Sequence, residues 1–188
     1  MFKRGLLRAQ IRKAWSECIA VDYARQRINS ERSLQASLWS KLNDRLDERT
    51  RRMFIEPRLS CETEKSPCRD KTARYPDLVV CNTRSVIGII ELKYRPKAKP
   101  RWGKDIETME WVAVNRKKLS VQNKRYSGVE VDSRIYPLSP NVLFVWAGIH
   151  AKADVVVSEH ISERLQGCFL ELHAETSRHG EPEVWAEG

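Results

Sequence analysis

The sequence has no long hydrophobic run. Of its 188 residues 41% are hydrophobic, yet no apolar stretch approaches the roughly 20 residues that a membrane-spanning helix needs. The basic first segment, MFKRGLLRAQIRKAW, has no continuous apolar core and no small-residue cleavage site, so it does not fit a secretory signal. We therefore expect a protein that makes no membrane contact and is located in the cytoplasm.

The cysteines lack the spacing of a metal site. The five cysteines are scattered and odd in number, without the paired spacings of a structural zinc site. A chain of this length can also bury a core without disulfides or a structural metal. We therefore expect reduced thiols that act as small buried hydrophobic side chains.

Acidic residues are too few to balance the basic ones. The chain has 25 Asp and Glu against 34 Lys and Arg, which gives a formal net charge of +9. An excess of this size favours a polyanionic partner, because phosphate contacts by Lys and Arg release condensed counterions. The charge alone identifies no partner, but it indicates what kind of site to look for.

Helical and strand-like apolar patterns alternate over most of the chain. Its length suits one domain over residues 1–188, with an N-terminal helix in 1–29, a core in 30–175 and a loosely held tail in 176–188. Polar residues predict loops over 60–73 and 95–104, and residues 119–140 are either irregular or contain a short hairpin. The predicted elements are helices over 6–27, 30–48, 105–118 and 153–165 and strands over 53–59, 75–81, 86–94, 141–149 and 168–174.

The second and third predicted strands look like a hairpin. Two β-rich runs, 75–81 and 86–94, are joined by the polar turn NTRS. If the turn centres near Arg84, Cys81 lies opposite Ile87 on one face of the pair. Side chains two residues apart share that face.

At the far end of this hairpin, the same register places Asp77 opposite Glu91, with Lys93 on the same face. Opposed residues have Cβ atoms roughly 4.5–5.5 Å apart, and two like charges there are destabilising unless something compensates them. A divalent cation such as Mg²⁺ would compensate, since it binds one or two carboxylates and completes its shell with water and phosphate. Lys93 could then orient an attacking water or stabilise a pentavalent phosphate. The alternative is an exposed polar face without a site.

Glu31 falls on the apolar side of its predicted helix. At 100° per residue it is centred among Leu34, Leu38 and Leu42, and carboxylates are seldom buried unless they are paired or bind a metal. The alternative is that Glu31, directly after the N-cap Ser30, only complements the helix dipole. Gln35 on the same stripe is either a hydrogen-bonding neighbour of the site or a buried structural amide.

These residues carry a resemblance to a known family. Pro76–Asp77, thirteen further residues and then Glu91–Leu92–Lys93, preceded by a helix with an inward Glu31, resemble the PD-(D/E)XK, or restriction-endonuclease-like, nuclease superfamily. The resemblance implies an α/β fold with a central mixed sheet of four or five strands flanked by helices. It also implies a metal bound by Asp77, Glu91 and the Leu92 carbonyl, with Lys93 near the water. The long proline-rich loop after Tyr94 departs from the pattern and leaves any role of Asp105 and Glu107 open.

Basic residues surround the motif in the sequence. If the strands lie as predicted, these residues rim the metal site and hold phosphates by charge; the alternative is a solvated basic loop. Trp102 could stack on a base, although packing is the simpler interpretation, and His150 and His160 suggest surface or core positions. The candidate nucleic-acid-binding residues are Arg74, Arg95, Lys97, Lys99, Arg101 and Lys104.

Together these features predict a Mg²⁺- or Mn²⁺-dependent nuclease, with Glu31, Asp77, Glu91 and Lys93 as catalytic residues and DNA as the first candidate substrate. Two alternatives stay open: a nuclease acting on RNA, because the same metal chemistry serves both sugars, and a catalytically silent module that binds nucleic acid or protein. A cut in both strands favours a homodimer or a protein partner. Sequence specificity and endonuclease against exonuclease action cannot be read from these residues.

Overall fold

The chain folds into a mixed α/β structure. The computed structural model describes residues 4–61, 74–122, 134–153, 156–177 and 180–188. In these ranges the α-helices are α1 (Arg4–Glu17), α2 (Glu31–Asn43) and α3 (Gly103–Asn115), and a π-helical segment, Cys18–Tyr23, prolongs α1. Within the same ranges, none of the helices has the length and apolar character required to span a membrane.

The strands form a curled mixed sheet that resembles half a barrel. They are β1 (Arg51–Ile55), β2 (Leu59–Cys61), β3 (Leu78–Asn82), β4 (Val86–Arg95), β5 (Leu119–Gln122), β6 (Ile135–Ala151), β7 (Phe169–Thr176) and β8 (Glu183–Glu187). Six of them lie in the order β1-β3-β4-β6-β7-β8, while β2 pairs with β5 and β5 pairs with the first residues of β6. The sheet therefore has more strands than the four or five that the sequence suggested.

The centre of the sheet is parallel and its flanks are antiparallel. β4, β6 and β7 are parallel neighbours, and β3, β1 and β8 add antiparallel strands at the two sides. Helix α3 lies in the connection between β4 and β6, as parallel neighbours require a crossover. The predicted central strand over 141–149 is confirmed, since it is part of β6 and is buried from Val142 onward.

Each face of the sheet has its own hydrophobic core. On one face, residues of α1 and α2 such as Leu7 and Leu38 are clustered with Ile90 of β4. On the other face, Met109 of α3 is clustered with Ile89 of β4. Because side chains alternate along β4, the face that carries Ile89 also carries Glu91 and Lys93, so the charged residues lie beneath α3.

The predicted hairpin is confirmed, with an irregularity near its turn. β3 and β4 pair antiparallel, and Val79 lies opposite Ile89 as expected. Cys81, however, pairs with Val86 and not with Ile87, because the register shifts after Val80. The shift lies on the turn side, so the far end of the hairpin keeps the predicted register.

Two other predicted segments differ in detail. The predicted strand over 53–59 is divided into β1 and β2 at Glu56, whose positive φ of 45° bends the chain. The short hairpin considered for 119–140 is present as the antiparallel pairing of β5 with β6.

The predicted loop over 60–73 lies outside the described residues beyond Cys61, which is disulfide-bonded. The expectation of reduced thiols is therefore wrong for Cys61 and holds for Cys18, Cys81 and Cys168.

The predicted helix over 153–165 is wrong for the part that the structure describes. Residues Val157–His160 form a single 3₁₀ turn, and irregular turns follow. Tertiary contacts supply the hydrogen bonds here: Glu171 accepts from the backbone of Val157 at 2.6 Å and Ser158 at 3.2 Å. Backbone groups satisfied in this way need no helix.

The prediction of a loose tail after Thr176 is also wrong for residues 183–187. These residues form β8, which pairs antiparallel with β7. Trp185 stacks on His173 with ring centroids 3.7 Å apart and an interplanar angle of 5°. The aromatic contact holds the end of the chain on the sheet.

Candidate active site

Asp77 and Glu91 lie side by side at the end of the β3–β4 hairpin. Leu78 pairs with Ile90, and the next residues in this register are Asp77 and Glu91. Asp77 is close enough to Glu91 to raise its pKa, and Asp77 Oδ2 accepts a hydrogen bond of 2.6 Å from the backbone N–H of Leu92. The structure thus brings together the two residues that the hairpin register predicts to be opposed.

The backbone around Asp77 is fixed by two further contacts. Its carbonyl oxygen accepts from Gln35 Nε2 at 2.8 Å and from the backbone N–H of Glu56 at 3.1 Å. Gln35 is therefore a hydrogen-bonding neighbour of the site and also a buried amide, so both roles considered for it are met. In a strand the N–H and C=O of one residue point to the same side, so the Leu92 carbonyl faces the same edge as Asp77.

Both acids are easier to protonate than in water. Burial raises the pKa of Asp77 to about 6, with the charges of Glu31 and Asp105 acting in the same direction and the Leu92 N–H opposing them. Burial also raises the pKa of Glu91 to about 9, and the neighbouring Asp77 and Asp105 add to the effect. If both acids were ionised, they would repel each other strongly with little water to screen the repulsion. A bound cation would relieve it.

Lys93 lies between two further carboxylates. Its Nζ is 3.1 Å from Asp105 Oδ1 and 3.9 Å from Glu31 Oε2. Burial lowers the pKa of Lys93, but the charges of Asp105, Glu31 and Asp77 outweigh it, so the net shift is upward. Lys93 is therefore an ammonium group held within the cleft.

Glu31 reaches the site from the first turn of α2. The N-cap Ser30 accepts from the N–H of Ser33 and fixes where the helix begins. The Glu31 side chain is 46% exposed, so the expectation of an inward, buried glutamate is only partly met. It stands at the edge of the cleft, where it can contact Lys93 while staying hydrated.

Asp105 is a member of the site whose role the sequence prediction left open. It is 6% exposed in the first turn of α3, and its Oδ2 accepts a hydrogen bond of 3.2 Å from Trp146 Nε1. A signal was present, because Asp105, Met109 and Val112 share one helical face at spacings of four and seven residues. An acid in the first turn of a helix is usually explained by the helix dipole. For this reason the sequence pattern alone does not distinguish a site residue from an ordinary first-turn acid.

These ionisable groups line a cleft of about 470 Å³. Of the six candidate nucleic-acid-binding residues, Arg74 and Lys104 line it too. The remaining four are not brought to the cleft: Arg95, Lys97, Lys99 and Arg101. Arg95 is the last residue of β4. For the three loop residues the backbone explains the position, because the Ala98 carbonyl accepts from Ala151 N at 3.1 Å and ties the loop to the end of β6.

The aromatic and histidine candidates have partners elsewhere. Trp102 stacks on His160 with centroids 4.6 Å apart, which favours the packing interpretation. His150 is fully buried, which is the core position of the two considered, and its Nε2 lies 2.8 Å from His173 Nδ1. His173 Nε2 in turn lies 3.0 Å from Glu171 Oε2.

The donor set at the hairpin end suits a hard cation. Among the residues that the structure describes, no group of three or more His, Cys, Asp or Glu side chains is placed to hold a metal ion together. The available oxygens are the Asp77 and Glu91 carboxylates and the adjacent Leu92 carbonyl. This set is small, but Mg²⁺ commonly binds through one or two carboxylates with water and substrate phosphate, so the residues fit such an ion.

Known proteins give no independent guide to this cleft. No family model, curated protein or solved structure matches the chain.

Proposed function

We propose that this chain is a metal-dependent nuclease that hydrolyses phosphodiester bonds in DNA. The observation that carries the proposal is the pair of the half-buried Asp77 and the buried Glu91, with the Lys93 ammonium beside it. Opposed ionised carboxylates with little exposure destabilise a protein unless a proton or a bound cation compensates their charge. A module that only binds nucleic acid has no use for them.

The order of elements around the pair supports the same proposal. A helix with Glu31 precedes the antiparallel hairpin that carries Asp77 and Glu91–Leu92–Lys93, and a helix and a parallel strand follow. This is the arrangement implied by the resemblance to PD-(D/E)XK nucleases. We propose that β1, β3, β4, β6 and β7 form a restriction-endonuclease-like core that the other strands extend.

The proposed roles follow from position. Asp77, Glu91 and the Leu92 carbonyl would hold Mg²⁺ or Mn²⁺. A bound divalent ion supplies Lewis-acid activation of a water and stabilises charge on the phosphate. Lys93 donates hydrogen bonds from its ammonium group toward the attacking water or a phosphate oxygen. Glu31 contacts Lys93 from the open side of the cleft.

Substrate binding is assigned to the cationic residues at the cleft. Arg74 and Lys104 would hold phosphates on either side of the scissile bond by charge, which positions a strand without reading its bases. One chain with one such cleft cuts one strand, so cleavage of both strands requires a second copy or a protein partner.

The test is cleavage of supercoiled plasmid, single-stranded DNA and RNA in Mg²⁺ or Mn²⁺. We expect DNA to be cut by the wild type and not by Asp77→Ala or Lys93→Ala, while Glu163→Gln, an exposed change far along the sequence from the site, cuts normally. Equal cleavage by the two site variants would contradict the assignment. Cleavage of RNA alone would select the RNA-directed alternative, and salt-sensitive binding without cleavage would select the binding module.

A further inference from the structure

We propose that Asp105 is a positioning residue that fixes the Lys93 ammonium relative to Glu91, and that Trp146 and Gly148 hold Asp105 in place. The inference rests on the proposed function, because Lys93 needs a defined position only if it acts on a reacting group. It adds a residue outside the motif that carries the family resemblance.

The contact between Asp105 and Lys93 is the closer of the two ion pairs that Lys93 makes. Its N–O distance is 3.1 Å, against 3.9 Å to Glu31. Asp105 has 8% of its side chain exposed and Glu31 has 46%, so the first pair is much less screened by water. Asp105 therefore has more influence on where the ammonium group lies.

The second carboxylate oxygen of Asp105 has its own partner. Trp146 is fully buried in β6, and a buried indole N–H needs an acceptor. Asp105 Oδ2 is that acceptor at 3.2 Å. With one oxygen on Trp146 and the other on Lys93, the carboxylate plane has little freedom to rotate.

Gly148 makes room for the Trp146 ring. A Cβ at position 148 would stand 2.4 Å from Cη2 of Trp146, so any other residue would displace the indole. Gly148 is also the residue of β6 that pairs in register with Lys93. The Trp146 ring thus lies over Gly148, the β6 residue beside Lys93.

The two contacts of Asp105 can be separated by chemistry. An amide oxygen can accept from the Trp146 indole as a carboxylate does, but an amide carries no charge to attract an ammonium. Asp105→Asn therefore keeps the packing and removes the ion pair. Asp105→Glu keeps the charge and changes the reach by one methylene.

The experiment compares Asp105→Asn, Asp105→Glu and Glu163→Gln with the wild type. In metal-free protein, ¹H–¹⁵N NMR would follow the Lys93 ammonium and the Trp146 indole signals. We expect Asp105→Asn to retain the indole signal and to lose or shift the ammonium signal, with Glu163→Gln unchanged. With metal and DNA, kcat of Asp105→Asn falls about 10- to 100-fold while KM changes less than about threefold, and Asp105→Glu recovers part of kcat.

Two results would overturn the positioning role. An unaltered ammonium signal in Asp105→Asn would show that Asp105 does not hold Lys93, whether or not the chain is a nuclease. A lost ammonium signal with unchanged kcat would show that the held position is irrelevant to the reaction. Absence of cleavage by the wild type would instead contradict the proposed function, and the Asp105–Lys93 contact would then have no catalytic purpose. The NMR result would still show whether Asp105 holds Lys93.

Discussion

Glu91→Gln should stabilise the metal-free protein. In the folded chain Glu91 has a pKa raised to about 9 from its ordinary 4.5, first by burial and then by Asp77. Between these two pKa values the folded state binds a proton that the unfolded state releases. The free energy of unfolding therefore falls as the pH rises from about 4.5 toward about 9. Glutamine stays neutral at every pH, so Glu91→Gln removes this pH-dependent loss of stability.

The size of the effect depends on pH. At about pH 7.5 the folded protein keeps Glu91 protonated about 3 pH units above the ordinary pKa of a glutamate. This lowers the free energy of unfolding by about 4 kcal/mol, at about 1.4 kcal/mol per pH unit. At about pH 5 the same reasoning gives about 0.7 kcal/mol. The gain in free energy of unfolding from Glu91→Gln should therefore shrink severalfold on acidification.

Urea unfolding followed by tryptophan fluorescence, in the presence of a chelator, measures this gain at both pH values. Glu163→Gln is the matched control, because it removes one carboxylate at an exposed position, and it should leave the unfolding midpoint nearly unchanged. A variant that is no more stable than the wild type at the higher pH, or a gain that is independent of pH, would refute the electrostatic reasoning. A residue kept at a cost to stability points to a ligand that it serves.

Two other predictions follow from contacts of β6 and β7. Gly148→Ala should lower the melting temperature and the free energy of unfolding by about 1–3 kcal/mol, because the added methyl overlaps Trp146; an unchanged melting temperature would show that the ring can move freely. Burial raises the pKa of Glu171, but hydrogen bonds from His173, Ser158 and Val157 outweigh it and lower the pKa below 4.5. Its stabilisation is thus present above about pH 4.5 and lost as the pH falls through the lower folded value. Melting curves of Glu171→Gln should accordingly lie below the wild type at neutral pH and converge with it in acid; a constant gap would contradict this.

The sequence was informative where local geometry decides position. Period-two alternation and a short turn were enough to place Asp77 beside Glu91, because the register shift after Val80 lies on the turn side of the hairpin. Helical spacing put Glu31 on the side of α2 that approaches Lys93. It did not show that Glu31, in the first turn, lies at the solvent-exposed edge.

The features that the sequence did not reveal depend on contacts between distant segments. Asp105 acquires its role from Trp146, 41 residues away, and the turn at Val157 is held by Glu171. Strand β8 is stabilised by pairing with β7 and by the Trp185–His173 stack. The loop at Ala98 is likewise tied to β6 by a backbone hydrogen bond, which directs three of the expected basic residues, Lys97, Lys99 and Arg101, away from the cleft lining.

The most direct test of the central claim is a calorimetric titration of Mn²⁺ into the wild type and into Glu91→Ala. A specific cation site at the Asp77–Glu91 pair predicts saturable binding near one equivalent by the wild type and loss of that binding in the variant, with the Glu163→Gln control unaffected. Binding of equal strength by the wild type and Glu91→Ala, or none by either, would contradict the account.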